Sequence, residues 1–170
     1  DYTGSVNTLA PNGVNGMLLL DPTDLAITGA DLNVTAASPF QPVAAGTSTL
    51  NAATLTGAGG LGAGNVTVTT VGSPDSAGQT GTITISTAVT WASNNNLTIS
   101  AASGGNIVIN AAVTNNAANT GDLTLTVSGG GAITIGADLS FANAGSTVTM
   151  NGGPVSQSAG TTITVGGLTT

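Results

Sequence analysis

Aspartate is the only charged side chain available for chemistry: the chain has seven acidic residues, all Asp, with no Lys, Arg, His or Cys. Carboxylates can act in pairs as acid and base on a glycosidic bond, and clusters of them can hold Ca²⁺. Asp21, Asp24 and Asp31 are the densest group, but the Gly-Gly-x-Gly-x-Asp nonapeptide of calcium-binding β-rolls does not occur. A turn role for Asp21 and a strand-end role for Asp31 are expected instead. Asp122 and Asp138 precede strand phrases in different columns of a repeat, so they are expected to point outward on different faces. Without His, Cys or Lys there is no ordinary base for a Ser or Thr nucleophile, no Schiff base and no usual zinc site. No catalytic residue, cofactor or metal is therefore expected, and the aspartates are read as solvated acids that keep the molecule soluble.

Hydroxyls are the abundant polar groups, and they recur in a pattern. An apolar–polar–apolar phrase returns along the last hundred residues: Val66-Thr67-Val68, Ile83-Thr84-Ile85, Leu97-Thr98-Ile99, Ile107-Val108-Ile109, Leu123-Thr124-Leu125, Ile133-Thr134-Ile135, Val148-Thr149-Met150 and Ile163-Thr164-Val165. Strict alternation means short strands with one buried face. Such strands repeated at intervals mean a solenoid, in which each coil buries its apolar face on its neighbours.

Two columns emerge when the phrases are aligned. Val66, Leu97, Leu123 and Val148 open the first; Ile83, Ile107, Ile133 and Ile163 open the second. A third apolar position follows at Val89, Val113 and Leu139, with Leu168 after Ile163. The expectation is an all-β, parallel β-helix with three short strands per coil of about 24–31 residues. Residues 1–63 are expected to form less regular coils, with 36–63 a loop or loose coil anchored by Leu50 and Leu55; residues 64–170 form the phased array. Strands are also expected around Met17–Leu20, Leu25–Ile27 and Leu32–Val34. No helix is expected, because Gly and β-branched residues are dense.

The middle residues of the phrases form an outward hydroxyl ladder, the candidate contact face: Thr67, Thr98, Thr124 and Thr149 in the first column, with Thr84, Thr134 and Thr164 in the second. A ladder of this kind supports the strands themselves. A flat, uncharged Thr-x-Thr face would also resemble hyperactive antifreeze proteins, but that needs two regular files. Beside the first column stand Asn65, Asn96, Asp122 and Thr147; beside the second stand Thr82, Asn106, Ala132 and Thr162, so the second file is broken and ice binding is not expected. Trp91 and Phe141 share one place in the repeat with Asn115 between them. Facing inward they fill a wide corner; facing outward they offer a platform for stacking sugars.

Charge excludes several partners. A net charge of −7 with no cation leaves nothing to neutralise phosphate, which argues against nucleic acid. The same balance opposes docking on anionic membrane, and no apolar run approaches the ~20 residues of a spanning helix, so membrane insertion is not expected. The last residues, Leu168-Thr169-Thr170, follow a strand as though another coil should come next. The chain is read as a segment of a longer secreted protein whose copies or coils stack end to end.

Three segments carry a family resemblance. Val14–Ile27, with Leu19-Leu20-Asp21-Pro22, resembles the LLDP segment of secreted exoproteins of the filamentous haemagglutinin type. Gly81–Ile85 leading to Val89-Thr90-Trp91 and Leu97-Thr98-Ile99 resembles the stretch that follows it, and Gly105–Val113 resembles the repeated coil. The resemblance implies a right-handed β-helix and export across a Gram-negative outer membrane by a partner transporter. It also implies an adhesive rod at the cell surface or in the extracellular space, with host or surface glycans as candidate partners. The family's secretion domain carries Asn-Pro-Asn-Gly; Ala10-Pro11-Asn12-Gly13 keeps only the last three and is read as a turn. Family members usually carry some Lys and Arg, which this chain lacks.

Overall fold

In the computed structural model, residues 23–73 and 78–166 are described. They form a β-solenoid of about five turns with three strands per coil. Each regular coil places one strand in each of three parallel sheets. The strands are β1 (Leu25–Thr28), β2 (Ser48–Asn51), β3 (Val66–Thr69), β4 (Ile83–Ile85), β5 (Val89–Trp91), β6 (Leu97–Ser103) and β7 (Ile107–Ile109). They continue as β8 (Val113–Asn115), β9 (Leu123–Ser128), β10 (Ile133–Ile135), β11 (Leu139–Phe141), β12 (Val148–Asn151), β13 (Val155–Gln157) and β14 (Ile163–Val165). The first sheet runs β3-β6-β9-β12, the second β2-β1-β4-β7-β10-β13, and the third β5-β8-β11-β14.

Register is held from coil to coil. Val66, Leu97, Leu123 and Val148 are successive partners, as are Ile83, Ile107 and Ile133. The inward residues therefore stack in columns, and Ile83, Ile85, Ile107, Ile109, Leu123, Leu125, Ile133 and Ile135 are fully buried. Parallel strands buried in this way need no local partner in sequence, because the neighbouring coil supplies both the backbone ladder and the apolar contact.

Glycine shapes the corner before the second sheet. Gly81, Gly105, Gly131 and Gly153 each stand two residues before a strand of that sheet. A Cβ on Gly105 would lie 2.5 Å from the carbonyl oxygen of Gly81, and one on Gly131 would collide with the carbonyl oxygen of Gly105. Backbones at this corner come too close for any side chain.

The last coil departs from the phasing expected from sequence. Ile163 pairs with Leu139, so β14 belongs to the third sheet. The second sheet is completed by Val155-Ser156-Gln157, which pairs with β10. Val155 lies 22 residues after Ile133, whereas a coil ending on Ile163 would have taken 30. The array keeps its period by using a weak strand phrase instead of stretching to reach a strong one. Leu168, expected in the third column, lies outside the described residues.

The stretch expected as a loop over 36–63 is more structured. It contains β2 and a one-turn helix, α1 (Ala52–Thr56), contrary to the expectation of no helix. Asn51 caps α1, its side chain accepting from the Ala53 N–H. Helix α1 packs on β2 and β5, the end strands of two sheets, with Leu55 fully buried. Phe40 and Leu61 are fully buried too, and Phe40 bridges in parallel to Val68 at the edge of the first sheet. These residues cover that end of the apolar column. Leu32 and Val34 make isolated antiparallel bridges to Thr49 and Pro42 and no strand of their own. The strand expected at Met17–Leu20 lies outside the described residues.

The opposite end face is open among the described residues. Val155 and Ile163 occupy core columns yet are 49% and 37% exposed. Column position alone therefore does not set the stabilisation; coverage by coils on both sides does. Ile109→Ala should cost about 2–5 kcal/mol, while Val155→Ala should cost about 0.5 kcal/mol or less. Urea denaturation of the two variants against the parent checks this contrast.

Candidate functional site

The polar groups of the solenoid fall into three settings: a side-chain ladder at strand starts, free hydroxyls on the sheet faces, and an interior corner.

At the entrance to the first sheet, the Asn65 side-chain oxygen accepts from the Asn96 N–H at 2.9 Å, Asn96 accepts from the Asp122 N–H at 3.0 Å, and Asp122 accepts from the Thr147 N–H at 2.7 Å. The entrance to the second sheet repeats the device. Asp24 accepts from the Thr82 N–H at 2.7 Å, the Thr82 hydroxyl accepts from the Asn106 N–H, and Asn106 accepts from the Ala132 N–H at 2.8 Å. At the third sheet Asp138 accepts from the Thr162 N–H at 2.7 Å. Each side chain thus bonds the backbone of the next coil. Asp122 and Asp138 do stand at different sheets, and their carboxylates serve this stapling.

The acidic cluster disperses in the same way. Besides its bond to Thr82, Asp24 accepts from the Thr80 N–H at 3.2 Å. The Asp31 carboxylate accepts from the Asn51 N–H and from the Thr54 hydroxyl, both at 2.6 Å, tying the loop after β1 to the β2–α1 junction. Asp21 lies outside the described residues. Among the described residues no group of three or more acidic, His or Cys side chains is placed to hold a metal ion.

The interior corner belongs to the third sheet. Trp91 and Phe141 each pair in register with Asn115, and all three side chains point inward, with Asn115 2% exposed. The two rings meet edge to face across it at 5.6 Å. Trp91 donates its Nε1–H to the Asn95 carbonyl oxygen, and Asn115 Nδ2 donates to Ser93 O at 3.0 Å, while Asn115 Oδ1 has no partner. Phe40, Trp91 and Phe141 are all buried, so among the described residues no aromatic ring forms an outward platform for sugars.

The expected hydroxyl ladder is placed as follows. Thr67, Thr98, Thr124 and Thr149 stand in one file on the first sheet, in unbroken register. Thr84 and Thr134 belong to the second sheet, in a file that also holds Ala26, Val108 and Ser156. Thr164 stands apart from them, beside Ser140 on the third sheet.

A second file on the first sheet was not anticipated. Thr69, Ser100, Thr126 and Asn151 are successive partners two residues beyond the first file. The sequence signal was present in the extended phrases Thr67-Val68-Thr69, Thr98-Ile99-Ser100 and Thr124-Leu125-Thr126, where alternation runs one residue past the apolar pair. Thr69 spends its hydroxyl on Ser100 O. Among the described residues the hydroxyls of Thr67, Thr98, Thr124, Thr149, Ser100 and Thr126 make no hydrogen bond to protein. The first sheet therefore presents two adjacent polar files, six of whose hydroxyls are unspent, flanked by the Asn/Asp ladder.

Comparison of the chain with protein-family models, with curated proteins and with solved structures finds no match.

The ladder and the hydroxyl files make different demands. Asp122→Asn keeps an acceptor in place and should leave stability within ~0.5 kcal/mol of the parent. Asp122→Ala removes the bond to the Thr147 N–H and should cost about 0.5–1.5 kcal/mol. Paired thermal and urea melts distinguish the two variants.

Proposed function

We propose that this chain is a segment of an extracellular structural and adhesive rod of the filamentous haemagglutinin type, on the surface of a Gram-negative bacterium and exported through a partner transporter. The observation that supports a rod is the unbroken stacking of three sheets around one apolar column. Stiffness then comes from backbone ladders and side-chain staples that run along the axis. The resemblance in Gly81–Ile99 and Gly105–Val113 supports the family; the LLDP segment lies largely outside the described residues. No enzymatic role is proposed.

Adhesion in this account is weak, neutral and multivalent. Contacts come from Thr, Ser and Asn side chains repeated at every coil, and avidity arises from their number. Host or surface glycans are the partners proposed. Since aromatic stacking is not offered by the described faces, recognition rests on hydroxyl and amide hydrogen bonds. The absence of Lys and Arg removes every trypsin site, which suits an exposed spacer.

End-to-end stacking of further coils or copies is a second reading, favoured by the exposed Val155 and Ile163 on the open end face. At the other end, α1, Phe40 and Leu61 lie over the column, so stacking is proposed at the β12–β14 end alone.

Adhesion without cations should be indifferent to salt. Beads coated with the purified chain should hold to glycan-coated surfaces equally well at low salt and at ~1 M NaCl, where exposed charge contacts are screened. Loss of attachment in high salt, or no attachment to any neutral glycan surface, would count against the adhesive reading.

A further inference from the structure

We propose that the outer face of the first sheet, β3-β6-β9-β12, is an ice-binding surface. The inference goes beyond the rod reading and holds whether or not the rod attaches to cells.

Four observations carry it. The face holds two adjacent files, Thr67/Thr98/Thr124/Thr149 and Thr69/Ser100/Thr126/Asn151, over four consecutive coils in register. Six of its hydroxyls have no partner within the described protein, and while single outward hydroxyls such as Thr84 and Thr114 stand on the other sheets, the long strands of the first sheet set them in two adjacent files. Among the described residues only one charged side chain, Asp122, borders the face, and its carboxylate is engaged with the Thr147 N–H. Among the described residues the aromatic rings that would suit a sugar ligand are buried.

A ligand for such a face must be neutral, flat, periodic and rich in hydrogen-bonding groups. Water in its lattice meets all four requirements. With an O–H···O separation of ~2.75 Å, tetrahedral geometry puts next-nearest oxygens ~4.5 Å apart and gives a repeat of ~7.3 Å along the stacking direction. The protein grid has ~4.8 Å between coils and about 6.6–6.8 Å between files two residues apart. The mismatch is ~0.3 Å per coil along the axis, ~0.9 Å over the three intervals of four coils, and ~0.6 Å between files, distances within the sweep of a rotating hydroxyl.

Threonine suits the task better than serine. Its β-branched side chain is stiff at χ1, so neighbouring hydroxyls and methyls are held at the spacing of the backbone ladder. Ordering a water costs entropy. A rigid array lowers that cost by arranging waters before they join the lattice. The side-chain ladder Asn65–Asn96–Asp122 runs along the edge of this face and pins the coil spacing.

The test is thermal hysteresis and ice-crystal shaping by the purified chain, with three variants. Thr98→Tyr and Thr124→Tyr place a bulky ring at the centre of the face and should abolish hysteresis; Thr84→Tyr, on the second sheet, should leave it intact. Circular dichroism melts identify any variant that fails to fold, and Thr98→Val supplies a near-isosteric replacement that should weaken hysteresis. The proposal is overturned if the folded parent shows neither hysteresis nor shaping, or if Thr84→Tyr loses activity as fully as Thr98→Tyr. It is also overturned if the parent binds crystalline cellulose or chitin without affecting ice, which would make the face a polysaccharide surface.

Discussion

Everything in this molecule depends on register between coils. A parallel strand cannot satisfy its backbone or bury its apolar residues within its own coil, so each coil must bring equivalent residues back to the same place. The requirement explains why Ile107 sits between Ile83 and Ile133, and why glycine recurs two residues before each strand of the second sheet from β4 to β13. Strands of three residues would be marginal alone. They persist because every coil between the ends has a neighbour on both sides.

The electrostatic peculiarity of the chain follows from the same constraint. Stacking places each side chain ~4.8 Å from its equivalents above and below, so a charged file would repel itself along the axis. Charge is therefore rationed. Where acids occur, as at Asp122 and Asp138, they stand at strand entrances and accept a backbone N–H from the next coil, with an Asn, Thr or Ala in the equivalent position nearby. Neutral Asn does the same work at Asn65, Asn96 and Asn106. Acid and amide are interchangeable as acceptors here, and the amide avoids repulsion.

Much of the fold was legible in the sequence because one signal is repeated. The first sheet and strands β4, β7 and β10 of the second follow from apolar–polar–apolar phrases, and β5, β8 and β11 of the third from the apolar position six residues after each second-column isoleucine. The error in the last coil arose where that signal weakens: Val155-Ser156-Gln157 lacks a second apolar residue, whereas Ile163-Thr164-Val165 is a full phrase. Gly153, two residues before Val155, carried the correct phase, since Gly81, Gly105 and Gly131 hold the same offset. Helix α1 escaped notice because five residues with two β-branched threonines show no helical period; tertiary packing of Leu55 and the Asn51 cap stabilise it. The second hydroxyl file lies one residue beyond the three-residue phrase, at Thr69, Ser100, Thr126 and Asn151, because the strands of the first sheet run longer than the phrase that marks them. Asn115 was read in its correct place, yet nothing in the sequence says that a buried amide would separate two rings.

The register of the last coil is the most direct test of this account, and a chain without native cysteine allows it to be measured cleanly. Cysteines introduced by Ser140→Cys and Thr164→Cys stand on paired strands β11 and β14. Their Cα separation of ~4.8 Å lies within the 4.4–6.8 Å that a disulfide spans. The account predicts that this pair crosslinks under mild oxidation while Thr134→Cys with Thr164→Cys does not. Efficient crosslinking of the second pair and none of the first would contradict it, and would mean that Ile163–Val165 stacks on β10 after all.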